Sequence, residues 1–168
     1  MRALVIGRFQ PFHKGHAEMV KNAGEYEIIF VIGSAYQSFS FENPFTAGER
    51  YEMISLAMDE IGIKKFHIIP VPDINRYCIY AKHVAEIVPS FEVVLSNNPL
   101  IMEIFEKEGY RVENTPFYRR EEYQGRIIRK KMAKGEKWEH LVPLSVGEYI
   151  KKIGGVERIK HLYKSSDF

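Results

Sequence analysis

This 168-residue chain contains one cysteine, Cys78, so it can form no internal disulfide and has no thiolate cluster to hold zinc or iron and sulfur. Its longest apolar runs are about five residues, far short of a bilayer span, and Met1-Arg2-Ala3 leads into a strand-like run with no signal-peptide pattern. Charge of one sign is lacking as well: 24 Lys and Arg against 22 Asp and Glu give +2, so the total is no reason to expect a nucleic acid or a membrane as partner. Repeats and low-complexity tracts are absent. Two phosphate-binding signatures are missing too, the dinucleotide fingerprint G-x-G-x-x-G and the loop that ends in Gly-Lys-Ser/Thr, so ordinary dehydrogenase and kinase-like readings lose their main support. A cytoplasmic protein is expected.

What is present is one domain's worth of chain with 45% hydrophobic residues, enough to bury its own core. Short β-branched runs recur at 3–6 (ALVI), 28–32 (IIFVI), 66–71 (FHIIPV) and 92–95 (EVVL), and they read as strands buried on both faces. Helical patterns lie between them. Thr46 to Glu49 is a capping box, followed by apolar Tyr51, Ile54, Met58 and Ile61 at helical spacing and stopped by Gly62. Asn98-Pro99 opens a second helix with apolar Ile101, Ile104 and Phe105, and Ser145 to Glu148 repeats the capping-box pattern. Alternating strands and helices with tight connections predict an α/β fold, a doubly wound parallel sheet covered on both faces. In such a sheet, ligands bind beyond the carboxyl ends of the strands, near the point where strand order reverses.

The loop after the first strand is GRFQPFHKGH, residues 7–16. Gly7 lets the backbone turn, Pro11 stiffens the loop, and His13 and His16 straddle the start of a helix. Helix amino termini present unpaired amides and the positive end of a dipole; two imidazoles, Arg8 and Lys14 add donors and charge suited to a polyphosphate. The same pair could be a surface or mutually satisfied pair. Zinc is disfavoured, because HKGH lacks the glutamate of H-E-x-x-H, so no metal site is expected from protein side chains.

With these residues in view, GRFQPFHKGH resembles the H-x-G-H signature of the adenylyl- and cytidylyltransferase superfamily. The wider chain resembles the archaeal type of nicotinamide mononucleotide adenylyltransferase, through IGSA at 32–35, ENPFTAGER at 42–50, SNNPL at 96–100, the segment 123–129 and GGVERIKHL at 154–162. The resemblance spans nearly the whole chain. It implies a Rossmann-like nucleotidyltransferase fold in a single domain, 1–168, whose residues from about 125 to 168 form C-terminal helices that complete the phosphate site. ATP would lie over the first loop, at Gly7, Phe9 and Lys14, with His13, His16 and Arg8 at its phosphates and Arg129 on the β and γ phosphates. Gly33, Ser34 and Asn98 would stand near nucleotide or product. The implied reaction is attack of the nicotinamide mononucleotide phosphate on the α-phosphorus of ATP, with Mg²⁺, releasing pyrophosphate and forming NAD; nicotinic acid mononucleotide is a second candidate acceptor. The acceptor's ring would meet Tyr80, with Asp73 nearby, although Tyr80 reads equally as a core tyrosine on a helix; homo-oligomers, often hexamers, would be the assembly.

The late motif of that family usually reads Ser-Gly-Thr-x-x-Arg, whereas this chain has Gln124-Gly125-Arg126-Ile127-Ile128-Arg129. Both hydroxyls are missing, and two readings of Arg126 stand: solvent-facing beside Lys130, or reaching the triphosphate together with Gly125. Trp138 is expected in packing, Thr46 and Glu49 in the cap, and Arg50 in structure or a subunit contact. Three rival functions remain: a relative with another acceptor, although Arg8 and Gln10 stand where those branches have Ser/Thr and Asp; a nucleotide sensor without turnover; and a nucleic-acid module on 119–137, which Glu121, Glu122 and Glu136 interrupt.

Overall fold

The computed structural model describes residues 1–165. Five strands, β1 (Arg2–Gly7), β2 (Glu27–Ile32), β3 (Phe66–Pro70), β4 (Val93–Ser96) and β5 (Arg111–Asn114), form one sheet in the order β3-β2-β1-β4-β5 with every pairing parallel. Strand order therefore reverses between β1 and β4. Helices α1 (Lys14–Asn22), α2 (Ala47–Ile61), α3 (Tyr80–Ile87), α4 (Pro99–Lys107) and α5 (Gly125–Ala133) follow β1 to β5 in turn, and α6 (Leu144–Lys152) and α7 (Gly155–Ser165) complete the described chain.

Side chains alternate between two cores because successive strand residues face opposite sides of the sheet. Ala3, Val5, Ile28, Phe30, Ile32, Val93 and Leu95 point to a large core with α1, α2, α5, α6 and α7. Leu4, Ile29, Val31 and Val94 point to a smaller one under α3 and α4, which Phe105 plugs. Since both faces are covered, the inner strands can be apolar at every position. Edge strand β3 is only half-buried, so the expectation of burial on both faces holds for β1, β2 and β4 alone. The fifth strand, RVEN, carries too little apolar patterning to announce itself.

Helix punctuation follows the sequence at most ends. Thr46 Oγ1 accepts from Glu49 N at 3.1 Å and Glu49 Oε1 from Thr46 N at 2.9 Å, while Gly62 closes α2 at φ 79°. Asn98 Oδ1 accepts from Leu100 N at the head of α4. The capping box expected at Ser145 is absent. Pro143 is the N-cap of α6, Ser145 lies inside the first turn, its amide bonds Glu60 from α2, and its hydroxyl has no partner. Trp138 is 4% exposed and packs in the larger core, as expected. Among the described residues no helix is long and apolar enough to cross a membrane.

Candidate active site

At the reversal point, the chain leaves β1 at Gly7 and enters α1 through His13, which is the N-cap, with His16 at the third helical position. The two histidines build a capping box from imidazoles: His13 Nδ1 accepts from Gly15 N and His16 Nδ1 accepts from His13 N, both at 3.1 Å. Their rings stack with centroids 3.7 Å apart, and Phe9 and Phe12 press on His16. Gly15 has to be glycine for this stack, because a Cβ there would stand 2.9 Å from the His13 ring. Burial pushes the His13 pKa down to about 3; burial, then the neighbouring His13, holds His16 well below its ordinary value. Both rings are therefore neutral near pH 7, and since both Nδ1 atoms accept, both protons sit on Nε2. Each histidine is left with one N–H donor.

Beside them lies a polar hollow of about 240 Å³ lined by Arg8, Phe9, Gln10, His13, His16, Gly125, Arg126 and Arg129 among others. Arg129, on α5, is 2% exposed. Its Nη1 donates to the Gln10 carbonyl at 2.7 Å, its Nη2 to Glu42 Oε2 at 3.3 Å, and its Nε has no partner among the described residues. Burial above all, opposed by Glu42 and assisted by Arg8 and Arg126, lowers its pKa to about 10, so it stays cationic. Exposed Arg8 reaches Asn43 Oδ1 at 3.3 Å. Arg126 is exposed and lines the same hollow, which joins the two sequence readings of that residue. Gln124, standing where the family has a hydroxyl, turns its amide to the Arg120 carbonyl and leaves α5 without a side-chain cap. Phe9 contributes little more than its backbone, at φ 54°, because its ring is buried. Lys14 opens α1 but does not line the hollow.

Two further hollows flank this one. The first, about 260 Å³, is lined by Gly15, His16, Asn97, Phe117, Arg120 and Tyr123 among others, on the β4 and β5 side. The second, about 370 Å³, opens toward β2 and β3 and brings together Gly7, Arg8, Gly33, Ser34, Asp73, Tyr80 and Asn98. Burial, with the charge of Asp73 and neighbouring Tyr77, raises the Tyr80 hydroxyl to about pKa 12. All the sequence-derived site residues except Lys14 thus line one continuous set of hollows. Phe117 and Arg120 escaped the sequence reading because they sit on the β5–α5 connection with no recognisable nucleotide motif, whereas Asn97 lies in SNNPL, whose reading singles out only its neighbour Asn98; exposed Phe117, with Arg120 stacked 4.2 Å above its ring, offers only an aromatic followed by arginines as a signal.

Arg50 is structural, as expected, and completely buried. Its guanidinium donates to the carbonyls of Thr46, Arg8, Gly33, Ser34, Ala35 and Gln37 at 2.8–3.4 Å, which ties the loop after β1 to the loop after β2. Among the described residues, the non-glycine residues with positive φ, Phe9, Ser34, Phe39, Asn75 and Arg119, all lie in connections leaving the carboxyl ends of strands. Strain is concentrated where function is expected. No group of three or more His, Cys, Asp or Glu placed to hold a metal occurs among the described residues.

The chain is similar to known proteins in sequence and in fold. A family model described as cytidylyltransferase-like matches residues 4–131. A nicotinamide-nucleotide adenylyltransferase of Archaeoglobus fulgidus is 51% identical over 96% of this chain and 97% of its own, and one of Methanolobus tindarius is 46% identical over 98% and 95%. In fold, the chain is similar to the crystal structure of a bifunctional NMN adenylyltransferase/ADP ribose pyrophosphatase from Francisella tularensis complexed with AMP and a Mn ion, at TM-score 0.78 and 21% identity; 99% of this chain covers 53% of that one. The family model over residues 4–131, together with 46–51% identity to these archaeal relatives over nearly the whole of both chains, places the chain in the cytidylyltransferase-like family, among the nicotinamide-nucleotide adenylyltransferases.

Proposed function

We propose that this chain joins ATP and nicotinamide mononucleotide to give NAD and pyrophosphate, by direct in-line attack of the mononucleotide phosphate on the ATP α-phosphorus. The observation that carries the reading is the pair of neutral histidines, each with its Nε2–H unspent, beside the unpartnered Nε of Arg129. An anionic phosphate is already a nucleophile, so the site needs neither a serine nor a strong base. It needs alignment of two anions and stabilisation of charge on the α-phosphate and on the departing pyrophosphate.

The residues divide that work. His13 and His16 donate to phosphate oxygens without bringing a proton that titrates near pH 7, Arg8 stands at the junction of the central and acceptor-side hollows, and Arg129 with Arg126 meets the β and γ phosphates. Lys14 adds charge from the helix head. The adenosine end fits the hollow of Asn97, Phe117 and Tyr123, and the acceptor fits the one holding Gly33, Ser34, Asp73, Tyr80 and Asn98, where a pyridinium cation gains from an aromatic face and a carboxylate. The C-terminal helices complete the phosphate site through α5. Mg²⁺ fits this cation-rich site as a passenger held by phosphate oxygens and water, and it would supply charge neutralisation on the triphosphate.

Nicotinic acid mononucleotide is included as a second acceptor. Cytoplasmic residence is favoured by the exposed free thiol of Cys78, and assembly with copies of itself by exposed Met1, Tyr36, Tyr77 and Leu144. The experiment is direct: purified protein with ATP, Mg²⁺ and either mononucleotide, with dinucleotide and pyrophosphate measured beside His16→Ala. Equal amounts of both products, lost in the variant, are expected; ATP binding with no dinucleotide from either acceptor would overturn the reading.

A further inference from the structure

Gln10 belongs to the signature loop, yet its side-chain amide is spent inside the protein and not left for phosphate. It is 3% exposed. Its side-chain amide pairs with one residue in both directions, Nε2 donating to the Phe45 carbonyl at 3.0 Å and Oε1 accepting from Phe45 N at 2.9 Å. The side chain thus imitates a neighbouring strand, a bond pattern that fixes distance and orientation together and that no other side chain but asparagine could offer. Its own carbonyl receives the 2.7 Å bond from Arg129.

The partner it holds is itself fixed from the far side. Phe45 is completely buried, Thr46 beside it caps α2, and Arg158 of α7 donates to the Pro44 carbonyl and to both oxygens of Glu49 at 2.7–3.1 Å. Helix α5 meets Gln10 closely as well: a Cβ on Gly125 would lie 3.0 Å from the Gln10 carbonyl oxygen and 2.9 Å from Arg129 Nη1. Three segments distant in sequence, the first loop, the 39–46 loop and the head of α5, therefore converge on one buried residue, the 39–46 loop on its side-chain amide and the helix on its backbone carbonyl.

We infer that Gln10 is a positioning residue for the triphosphate site: by clamping Phe45 it sets the height of its own carbonyl, and through that carbonyl the place of the Arg129 guanidinium relative to His13 and His16. The inference rests on Arg129 meeting the triphosphate, as proposed above. Without the clamp, the carbonyl and the arginine shift together, and ATP loses affinity while the acceptor, bound on the opposite side of Arg8, does not.

The test is a double-mutant cycle read by calorimetry with ATP, and separately with nicotinamide mononucleotide, on wild type, Gln10→Met, Arg129→Ala and the double variant. Gln10→Met is expected to weaken ATP about 10- to 100-fold in the wild-type background. In the Arg129→Ala background the same substitution should weaken ATP by less than about threefold. Mononucleotide affinity should stay within about twofold throughout. Equal losses in both backgrounds, or unchanged ATP affinity in Gln10→Met, would overturn the inference. If Gln10→Met shows no cooperative melting transition, Gln10→Glu, which keeps the acceptor for Phe45 N, takes its place in the cycle. Because ATP binding is read without turnover, an inactive wild type that binds ATP would count against the proposed reaction and leave this test decisive.

Discussion

His13 and His16 lie ring on ring, 3.7 Å between centroids, with each Nδ1 already occupied by a backbone hydrogen of the helix they begin. The helix cap and the candidate catalytic donors are the same atoms' two ends: capping spends Nδ1, and the proton has to reside on Nε2.

Replacing His16 by alanine removes one such donor. Loss of a pre-organised donor of this kind costs roughly 10²- to 10³-fold in kcat, and loss of a cap about 1 kcal/mol of stability. His16→Ala should therefore melt a few degrees early and still be folded at 25 °C while turnover collapses. A variant within threefold of wild-type kcat would refute the assignment.

Acid should weaken the fold through these rings. A histidine whose folded pKa is about 3, against 6.5 as its ordinary value, cannot take the proton that the unfolded chain takes. Its contribution is whole above pH 6.5 and shrinks as pH falls from there toward 3, on the order of 1.4 kcal/mol per pH unit in that window. Urea unfolding at pH 7.5 and 5 should show a larger drop for wild type than for the His13→Asn, His16→Asn double variant; equal drops would exclude burial of neutral imidazoles.

Gly125→Ala places a methyl group against the Gln10 carbonyl and the Arg129 Nη1. Gly125 is the first residue of α5, so it gains only part of the preference for alanine over glycine, about 1 kcal/mol, that holds inside a helix. The crowding should win at the site: KM for ATP rises roughly tenfold or more through displacement of α5, with kcat less affected. Steady-state kinetics with ATP varied at saturating acceptor decides it.

Arg50→Leu empties the centre of six carbonyl contacts. Each buried acceptor left without a donor costs about 1 kcal/mol or more, so a loss on the order of 3 kcal/mol or above is expected in denaturant unfolding. A loss below 1 kcal/mol would mean that water replaces the guanidinium at little cost.

Tyr80→Ala tests the acceptor side. A cation over an aromatic face is worth about 1 kcal/mol in a half-buried site, so KM for nicotinamide mononucleotide should rise roughly 5- to 10-fold, with that for ATP unchanged. If KM for ATP moved instead, the two outer hollows would have to exchange occupants.

Much of this architecture was legible in the residues. Apolar runs located the inner strands because both of their faces are covered, and Thr46, Asn98 and Gly62 announced helix ends through side chains or a positive φ that act locally. Ser145 misled for the opposite reason: its capping pattern is local, but the proline before it and Glu60 from another helix decide where α6 starts. Edge strand RVEN and the wall of Phe117 and Arg120 were invisible, since what assembles them is sheet topology, and Asn97, though inside SNNPL, carried no mark that set it apart from Asn98. The histidines' environment was half legible: their type and spacing could be read, but their neutrality follows from burial that the fold supplies, with Phe9 and Phe12 against His16 and His16 against His13.

Arg50 adds something that no ligand need touch. Among the described residues no carboxylate bonds its guanidinium; only carbonyl dipoles do, so a full positive charge is stored beneath the loops that carry Arg8, Gly33 and Ser34. Burial lowers its pKa only to about 10, which leaves it ionised across the physiological range. Mobile counter-ions shield exposed arginines within a Debye length of about 8 Å at physiological salt, but they cannot enter a closed interior. Salt still screens the pull of Arg50 on an anion out in solution, but an anion seated on these loops, with little water left between, feels Arg50 with less screening than it feels the exposed Arg8 and Arg126.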